Sequence, residues 1–287
     1  MSQPQTSVSN EPSIEERFFT LDGAAMRYLH AGVGPPLILI HGLMGYSFSW
    51  RHAIPFLAEK SEVFAVDLLG TGYSERPPDL DCSLRACARR LLRFMDAMTA
   101  SPFDVLGTSH GGGVAMMAAA LAPERIRRLI LVDPINPWSP RGRTLAPFLS
   151  SPIIAPLFVN LAHHSPSVQE YYFCRLYGDP RRIQSGTLEG YKKPMELPSS
   201  FEYAVSILRT WNQDLRELET ALPRIADIPT LLIWGDRDAA VAPASAERLK
   251  QSFRKSQLVM MQGIGHLPYE EAPDEFNRLV SDFLSTE

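Results

Sequence analysis

The sequence lacks most of the features that mark metal-binding, membrane-spanning or nucleic-acid-binding proteins. Its three cysteines, Cys82, Cys87 and Cys174, form no CxxC pair, which predicts free thiols used as small apolar residues in a reducing compartment. No apolar run approaches the length of a membrane span. The net charge of −4 is small and no block of like charges stands out. We therefore expect a cytoplasmic protein whose partners include neither a membrane nor nucleic acid.

The N-terminus also lacks a basic start and an apolar stretch, so we expect no signal peptide there. Residues 1–13 are instead rich in Ser, Gln and Pro, a composition that predicts a disordered tail. No internal repeat is visible. A length of 287 residues with 45% hydrophobic content fits one large domain or a domain with an insertion. The sequence gives no indication of the oligomeric state.

What the sequence does contain is a regular alternation of strand-like and helix-like segments. Two short strand-like runs flank Asp22-Gly23, a hairpin turn signal. Buried-strand runs then begin at Pro35, Val63, Phe103 and Ile126, with helical patterns between the later ones. This alternation predicts an α/β fold with a mostly parallel central sheet and helices on both faces.

The alternation stops after Asp133 and returns at the run IPTLLIWGDRD. Residues 134–222 contain no run of buried-strand type, and they are rich in proline and aromatic residues. We interpret them as a helical cap inserted into a core formed by residues 14–133 and 223–287. The alternative is a set of ordinary connecting helices, although connections this long are uncommon in compact sheets.

The candidate nucleophile is Ser109, in the stretch VLGTSHGGG. GTSHG matches the pattern G-x-S-x-G between a predicted strand and a predicted helix, where a sharp turn lifts the hydroxyl above the sheet. Gly107 and Gly111 fit this reading because side chains there would clash. The alternative is a plain glycine-rich turn.

A serine nucleophile needs a base and a group that orients it. His266, in the glycine-bounded loop GIGHLPYEE, is our candidate base. Asp238, at the end of WGDRD, is our candidate acid because the chain order Ser, Asp, His fits. Asp133 is the competitor, since it also follows a strand. We expect Asp236 to cap its own turn.

Acyl transfer also needs N–H donors for the developing oxyanion. We expect these donors to be the backbone N–H groups of Leu43, in the loop after LILIHG, and His110, at the start of the next helix. The imidazole of His110 is then not catalytic, and His41 braces the loop. No metal or cofactor is implied by this chemistry.

The motifs HGLMG, DLLGTGYSERP, GTSHGG, WGDRDAAV and GIGHLPYEEAP occur in this order, and together they resemble the α/β-hydrolase superfamily over nearly the whole chain. Epoxide hydrolases and haloalkane dehalogenases of this superfamily carry aspartate as the nucleophile, where this chain has Ser109. Meta-cleavage C–C hydrolases typically have Asn before the serine and Trp after the histidine, where this chain has Thr108 and Leu267. The resemblance therefore favours a carboxylesterase with a helical cap.

The expected reaction is hydrolysis of uncharged esters with short to medium acyl chains. We expect the substrate pocket to be lined by residues of the cap and of the two motif loops: Met44, Trp138, Phe148, Phe158, Tyr172 and Leu267. C–C hydrolysis or perhydrolysis by the same triad is one alternative. A ligand-binding receptor that keeps the triad is another, and turnover of an aryl ester would distinguish it.

Overall fold

The computed structural model describes residues 12–286, so the predicted tail lies almost entirely outside the described residues. The apolar runs of the sequence form one eight-stranded sheet. Its strands are β1 (Glu15–Leu21), β2 (Ala24–Ala31), β3 (Pro36–Ile40), β4 (Glu62–Val66), β5 (Phe103–Thr108), β6 (Ile126–Val132), β7 (Thr230–Gly235) and β8 (Ser256–Met261).

The strands lie in the order β1-β2-β4-β3-β5-β6-β7-β8. β1 and β2 form the predicted hairpin, with Asp22 and Gly23 at positive φ in the turn. β2 also runs antiparallel to β4, whereas the six strands β3 to β8 are mutually parallel. The predicted mostly parallel sheet is therefore confirmed. Because parallel strands end at the same edge, the loops after β3, β5, β6, β7 and β8 meet there.

Helices cover both faces of the sheet, as predicted. They are α1 (Ile54–Leu57), α2 (Leu84–Met98), α3 (His110–Leu121), α9 (Ala246–Lys250), α10 (Pro268–Glu271) and α11 (Pro273–Leu284). One core cluster packs α2 and α3 against the sheet, and the other packs α1 and α11 against the opposite face. Helix α3 is apolar around its whole circumference and is buried on all sides. Cys82 and Cys87 are buried free thiols, and Cys174 is also free.

The segment between β6 and β7 folds into five helices: α4 (Leu145–Leu149), α5 (Ile154–His164), α6 (Pro166–Cys174), α7 (Thr187–Met195) and α8 (Ser200–Ala221). We refer to residues 134–222 as the cap segment. We call the core cluster that packs α2 and α3 against the sheet the sheet-side core. The second half of α8 contributes Leu215 and Leu218 to it, so this helix joins the cap segment to the sheet. Within residues 12–286, no helix is both long and apolar enough to cross a bilayer.

Candidate active site

The sharp turn that the glycine pattern predicts lies between β5 and α3. Ser109 has φ 52° and ψ −120°, a conformation that L-residues with side chains adopt only under strain. A Cβ on Gly107 would lie 2.5 Å from the carbonyl oxygen of Gly111, and one on Gly111 would lie 2.3 Å from that of His41. Only glycine fits at either position. The turn is fixed further by hydrogen bonds from Ser109 N to Val132 O and from Ile135 N to Ser109 O.

His266 and Asp238 form a buried pair at the same edge of the sheet. His266 Nδ1 lies 2.8 Å from Asp238 Oδ2, and the residues are 4% and 2% exposed. The other carboxylate oxygen of Asp238 accepts hydrogen bonds from Ala240 N and Val241 N. When Nδ1–H donates to the carboxylate, the Nε2 atom of the imidazole carries no proton and can act as a base. Asp238, and not Asp133, therefore holds the imidazole.

Asp236 does not cap its own turn, contrary to the sequence-based expectation. Its Oδ1 atom accepts a hydrogen bond from Gly263 N at 2.7 Å. Because β7 and β8 are parallel neighbours, the loops that follow them lie side by side. A carboxylate in one loop can then bind a backbone amide of the other, which a reading of local turn patterns does not detect.

The loop after β3 lies directly against the serine. A tight turn joins Gly45 N to Gly42 O at 3.0 Å, with Met44 at φ 61°. A Cβ on Gly42 would lie 3.1 Å from the Cβ of Ser109. Within residues 12–286, the backbone N–H groups of Leu43 and His110 have no hydrogen-bond acceptor. Two free donors on the loops next to a serine are the arrangement that an oxyanion hole requires.

Two further histidines near the serine have structural surroundings. His41 is buried, and its ring contacts Gly42 O at 2.8 Å, Leu68 N at 3.1 Å and Thr71 Oγ1 at 2.9 Å. It thus joins the loops after β3 and β4, as expected for a bracing residue. Burial lowers the pKa of His110 to about 3. That imidazole stays neutral and is a poor base near pH 7.

The six residues expected to bind substrate occupy different environments. Phe148 and Tyr172 are exposed, at 56% and 61%, whereas Leu267 is buried in the core cluster. Although the Tyr172 side chain is largely exposed, desolvation at its hydroxyl end and the Asp238 carboxylate raise the pKa of Tyr172. Met44 and Phe158 are partly buried.

Trp138, also expected in the pocket, packs against the sheet-side core and under the Arg248 guanidinium, 5.0 Å from its ring centroid. Its indole therefore contributes to the junction between the cap segment and the sheet. The apolar pattern of the sequence does not separate an aromatic residue at such a junction from one that lines a cleft.

Sequence reasoning missed a group of charged residues beside the triad. Arg141 donates a hydrogen bond to Asp238 O at 2.5 Å. Glu271 accepts backbone N–H groups from Gly265, Gly178 and Asp179 at 2.6, 2.9 and 3.2 Å. The two adjacent glutamates of PYEEAP lie close in sequence to His266. Their position could have suggested that one of them contacts the loop of the candidate base.

Among residues 12–286, Asp133, Asp238 and His266 form a group of potential metal ligands, with one ligand atom from each within 4.8 Å of the others. Three of the four carboxylate oxygens already accept hydrogen bonds from backbone amides or His266. Only Asp133 Oδ2 is uncommitted. This donor set fits a hydrogen-bonded triad better than a coordination sphere.

A mostly parallel sheet with a serine on a strained strand-to-helix turn is typical of the α/β-hydrolase fold class. Comparison with known proteins identifies the family. Residues 35–273 match the family described as the alpha/beta hydrolase fold, and the chain belongs to that family. It is therefore a hydrolase of the α/β-hydrolase family.

The similar proteins carry several different activities in their names. The chain is 30% identical to Lipase 1 of Psychrobacter immobilis, covering 93% of this chain and 83% of that protein. It is 29% identical to Haloalkane dehalogenase 2 of Mycobacterium tuberculosis (strain ATCC 25618 / H37Rv), covering 91% and 92%. A solved structure of a mutant of the meta-cleavage product hydrolase CumD superposes with a TM-score of 0.78 at 25% identity, covering 93% of this chain and 97% of that one.

Proposed function

We propose that this chain is a serine hydrolase that cleaves uncharged carboxylic esters of short to medium acyl chain. The observation that carries the proposal is Ser109 on its strained turn, packed against the loop of Leu43 and followed by His110, both with free backbone N–H groups, at the sheet edge that holds the His266–Asp238 pair. Esters suit this arrangement because the attack builds negative charge on one carbonyl oxygen.

In the first half of the reaction, Ser109 Oγ attacks the ester carbonyl while His266 Nε2 takes its proton. Asp238 stabilises the imidazolium, and the N–H groups of Leu43 and His110 bind the oxyanion. The tetrahedral intermediate collapses when its C–O bond breaks and the alcohol leaves with the proton from His266. Water, deprotonated by the same imidazole, then releases the acid and restores Ser109.

The preference for uncharged substrates is supported by the cap segment. Residues 144–169 contain no Asp, Glu, Lys or Arg, and several large apolar side chains in this stretch are exposed: Leu145, Phe148, Ile153, Leu157 and Leu161. Burial of an acyl chain against such groups stabilises binding by roughly 0.8 kcal/mol per methylene. Arg141 is a cation close to Asp238, but its guanidinium already donates a hydrogen bond to the backbone carbonyl oxygen of Asp238. We therefore do not expect it to bind a charged substrate.

The test is a series of p-nitrophenyl esters of increasing acyl length, with Ser109→Ala as the matched control. We expect kcat/KM to rise over the first few methylenes and then fall as the pocket fills, and we expect the control to be inactive but folded. A phosphonate probe should label Ser109. Ester turnover close to wild type in Ser109→Ala would contradict the nucleophile assignment.

Three additional substrates separate the alternatives. A meta-cleavage product turned over faster than any ester would identify a C–C hydrolase, which the structural similarity to CumD favours as the second candidate. Peroxide that outcompetes water for the acyl-enzyme would identify a perhydrolase. Preference for a dicarboxylate monoester, lost in Arg141→Gln, would show that Arg141 forms a basic pocket. A single turnover would indicate a receptor.

A further inference from the structure

Asp133 lies beside the His266–Asp238 pair in a constrained position. It is not the hydrogen-bond partner of the imidazole, because that partner is Asp238. It directly follows β6 and has φ 44°, in the left-handed region. Its backbone N–H donates to Ile233 O at 2.9 Å. Its Oδ1 atom accepts a hydrogen bond from Gly235 N at 3.0 Å. Backbone and side chain are thus both fixed against β7, whose following loop carries Asp238.

The second carboxyl oxygen of Asp133 has no such partner. Oδ2 is fully buried, and none of the described residues donates a hydrogen bond to it. A carboxylate that has an unsatisfied buried oxygen, and one oxygen within 4.8 Å of an oxygen of the Asp238 carboxylate, would be costly. A protonated carboxyl group has no such cost, because its O–H can donate to the neighbouring carboxylate.

The surrounding charges decide which of the two acids keeps the proton. Asp238 accepts hydrogen bonds from two backbone amides and from His266, all of which favour its ionised form. Asp133 accepts one. Burial and the Asp238 carboxylate, with a smaller contribution from Glu271, raise the pKa of Asp133 well above its usual range.

The other titratable groups in this region do not reverse the assignment. Tyr269, on α10, and Tyr172, on α6, are neutral phenols whose pKa values are raised. The Arg141 guanidinium donates to the backbone carbonyl of Asp238 rather than to Asp133.

We propose that Asp133 is a positioning residue whose neutral carboxyl group donates a hydrogen bond to the Asp238 carboxylate and thereby fixes the acid that orients His266. The His266–Asp238 pair then belongs to a chain of four groups. Gly235 N–H donates to Asp133, Asp133 donates to Asp238, and Asp238 accepts from the His266 imidazole. The inference rests on the proposed serine-hydrolase function, but the state of Asp133 can be measured without any substrate.

The first test is infrared difference spectroscopy of the whole protein at pH 7. A protonated carboxyl C=O band should be present in the wild type and absent in Asp133→Asn, and it should shift in Asp238→Asn, where the acceptor has changed. Absence of the band in the wild type would overturn the proposal, whatever the protein hydrolyses.

The second test compares Asp133→Asn with Asp133→Ala on the best ester. The amide can accept from Gly235 N and donate to Asp238, as the neutral acid does, so we expect kcat and KM within about threefold of wild type. Alanine removes the donor, so kcat should fall more than KM changes. The acid limb of the pH profile of kcat/KM should then move up by about half a pH unit or more.

These outcomes separate the proposal from its alternatives. A loss of a hundredfold or more in Asp133→Asn would mean that an ionised Asp133 is required. An unmoved pH profile in Asp133→Ala would mean that Asp133 serves folding alone. If the alanine variant does not fold, the infrared band and the asparagine variant still decide.

Discussion

At the scale of single residues, the turn at Ser109 shows how a chemical requirement is met by backbone geometry. The serine has a strained backbone conformation, and such strain costs on the order of 1–3 kcal/mol. The surrounding structure offsets it through the hydrogen bonds to Val132 and Ile135 and the close packing of Gly107 against Gly111. The turn therefore holds the Ser109 backbone in place at the N-terminal end of α3.

Asp238→Asn should reduce kcat by roughly 10³–10⁴-fold, by analogy with other serine triads. The reason lies in the contacts of its two oxygens. Oδ1 accepts hydrogen bonds from Ala240 N and Val241 N, so the amide oxygen of asparagine would occupy that side. The amide NH₂ would then face His266 Nδ1 and hold the imidazole in the wrong tautomer. Steady-state kinetics on a p-nitrophenyl ester measures the effect.

Asp236→Asn is the matched control, because Asp236 lies two residues earlier and bonds Gly263 N instead. It should retain most of the activity. A severe loss in Asp236→Asn together with a mild one in Asp238→Asn would reverse the assignment of the acid.

The three candidate catalytic residues each lie in a local pattern that the sequence shows: glycines around Ser109, a strand end before Asp238, and a glycine-bounded loop around His266. Contacts between loops could not be predicted in this way. The bond from Gly263 N to Asp236, and that from Arg141 to Asp238 O, depend on which loops become neighbours at the edge of the sheet. Local sequence carries no such information.

At the scale of elements, helix α8 contains a buried acid that predicts a pH-dependent stability. Asp214 is 4% exposed and accepts a hydrogen bond from Thr210 Oγ1 at 2.7 Å. Burial raises its pKa from 3.8 to about 6. Because the folded protein binds this proton more tightly than the unfolded chain, the contribution of Asp214 to stability is largest below pH 4 and is lost as the pH rises to about 6.

Asp214→Asn should therefore raise the free energy of unfolding at pH 7 by about 1 kcal/mol or more, and the gain should vanish near pH 4. Urea denaturation between pH 4 and 8 measures it. Glu217→Gln, on the same helix and paired with Arg85, is the control and should show no such gain. Equal free energies of unfolding for Asp214→Asn and wild type at both pH 4 and pH 8 would contradict the raised pKa of Asp214.

The central parallel strands could be predicted because they are continuous apolar runs, and β1 and β2 because a turn signal separates two strand-like runs. The helical nature of residues 134–222 followed from their lack of buried-strand runs. The packing of α8 against the sheet could not be predicted. Its sequence is amphipathic throughout, but only its second half packs on the sheet-side core through Leu215 and Leu218. Whether an apolar helix face meets a sheet or another helix depends on the path of the chain, which amphipathicity does not specify.

At the scale of the whole molecule, the cap segment and the loop of the candidate base are joined by backbone contacts. His266 N donates to Leu176 O at 2.6 Å. A Cβ on Gly178 would lie 2.6 Å from Gly263 O. Glu271 binds amides on both sides, from Gly178 and Gly265. We call this contact between residues 176–179 and 263–266 the clasp.

Glu271→Gln should weaken the clasp, because Gly178 N and Gly265 N bind one carboxylate oxygen of Glu271 and Asp179 N binds the other. The NH₂ group that replaces one of these oxygens cannot accept a hydrogen bond from a backbone amide. We expect a loss of about 1–3 kcal/mol in the free energy of unfolding and a fall in kcat as His266 loses its alignment. Chemical denaturation and ester kinetics on the same preparation measure both.

Glu270→Gln is the matched control for this prediction. Glu270 is also buried but binds Arg51, at 2.5 and 2.6 Å, and the Tyr191 hydroxyl, at 2.7 Å, with no bond to residues 263–266. It should lose stability while keeping kcat. If both variants lost kcat equally, the clasp would have no special connection to the base.

The clasp also limits how reactants can enter and leave. A cap that is tied to the loop of His266 cannot lift from the sheet as one rigid body without displacing that residue. For the proposed ester hydrolysis, we therefore expect substrate and products to pass at the other end of the cap segment, around α4 and α5, where the exposed apolar side chains lie. In that arrangement the imidazole would keep its position through both half-reactions of the proposed mechanism, while substrate and products exchange at a different part of the cap segment.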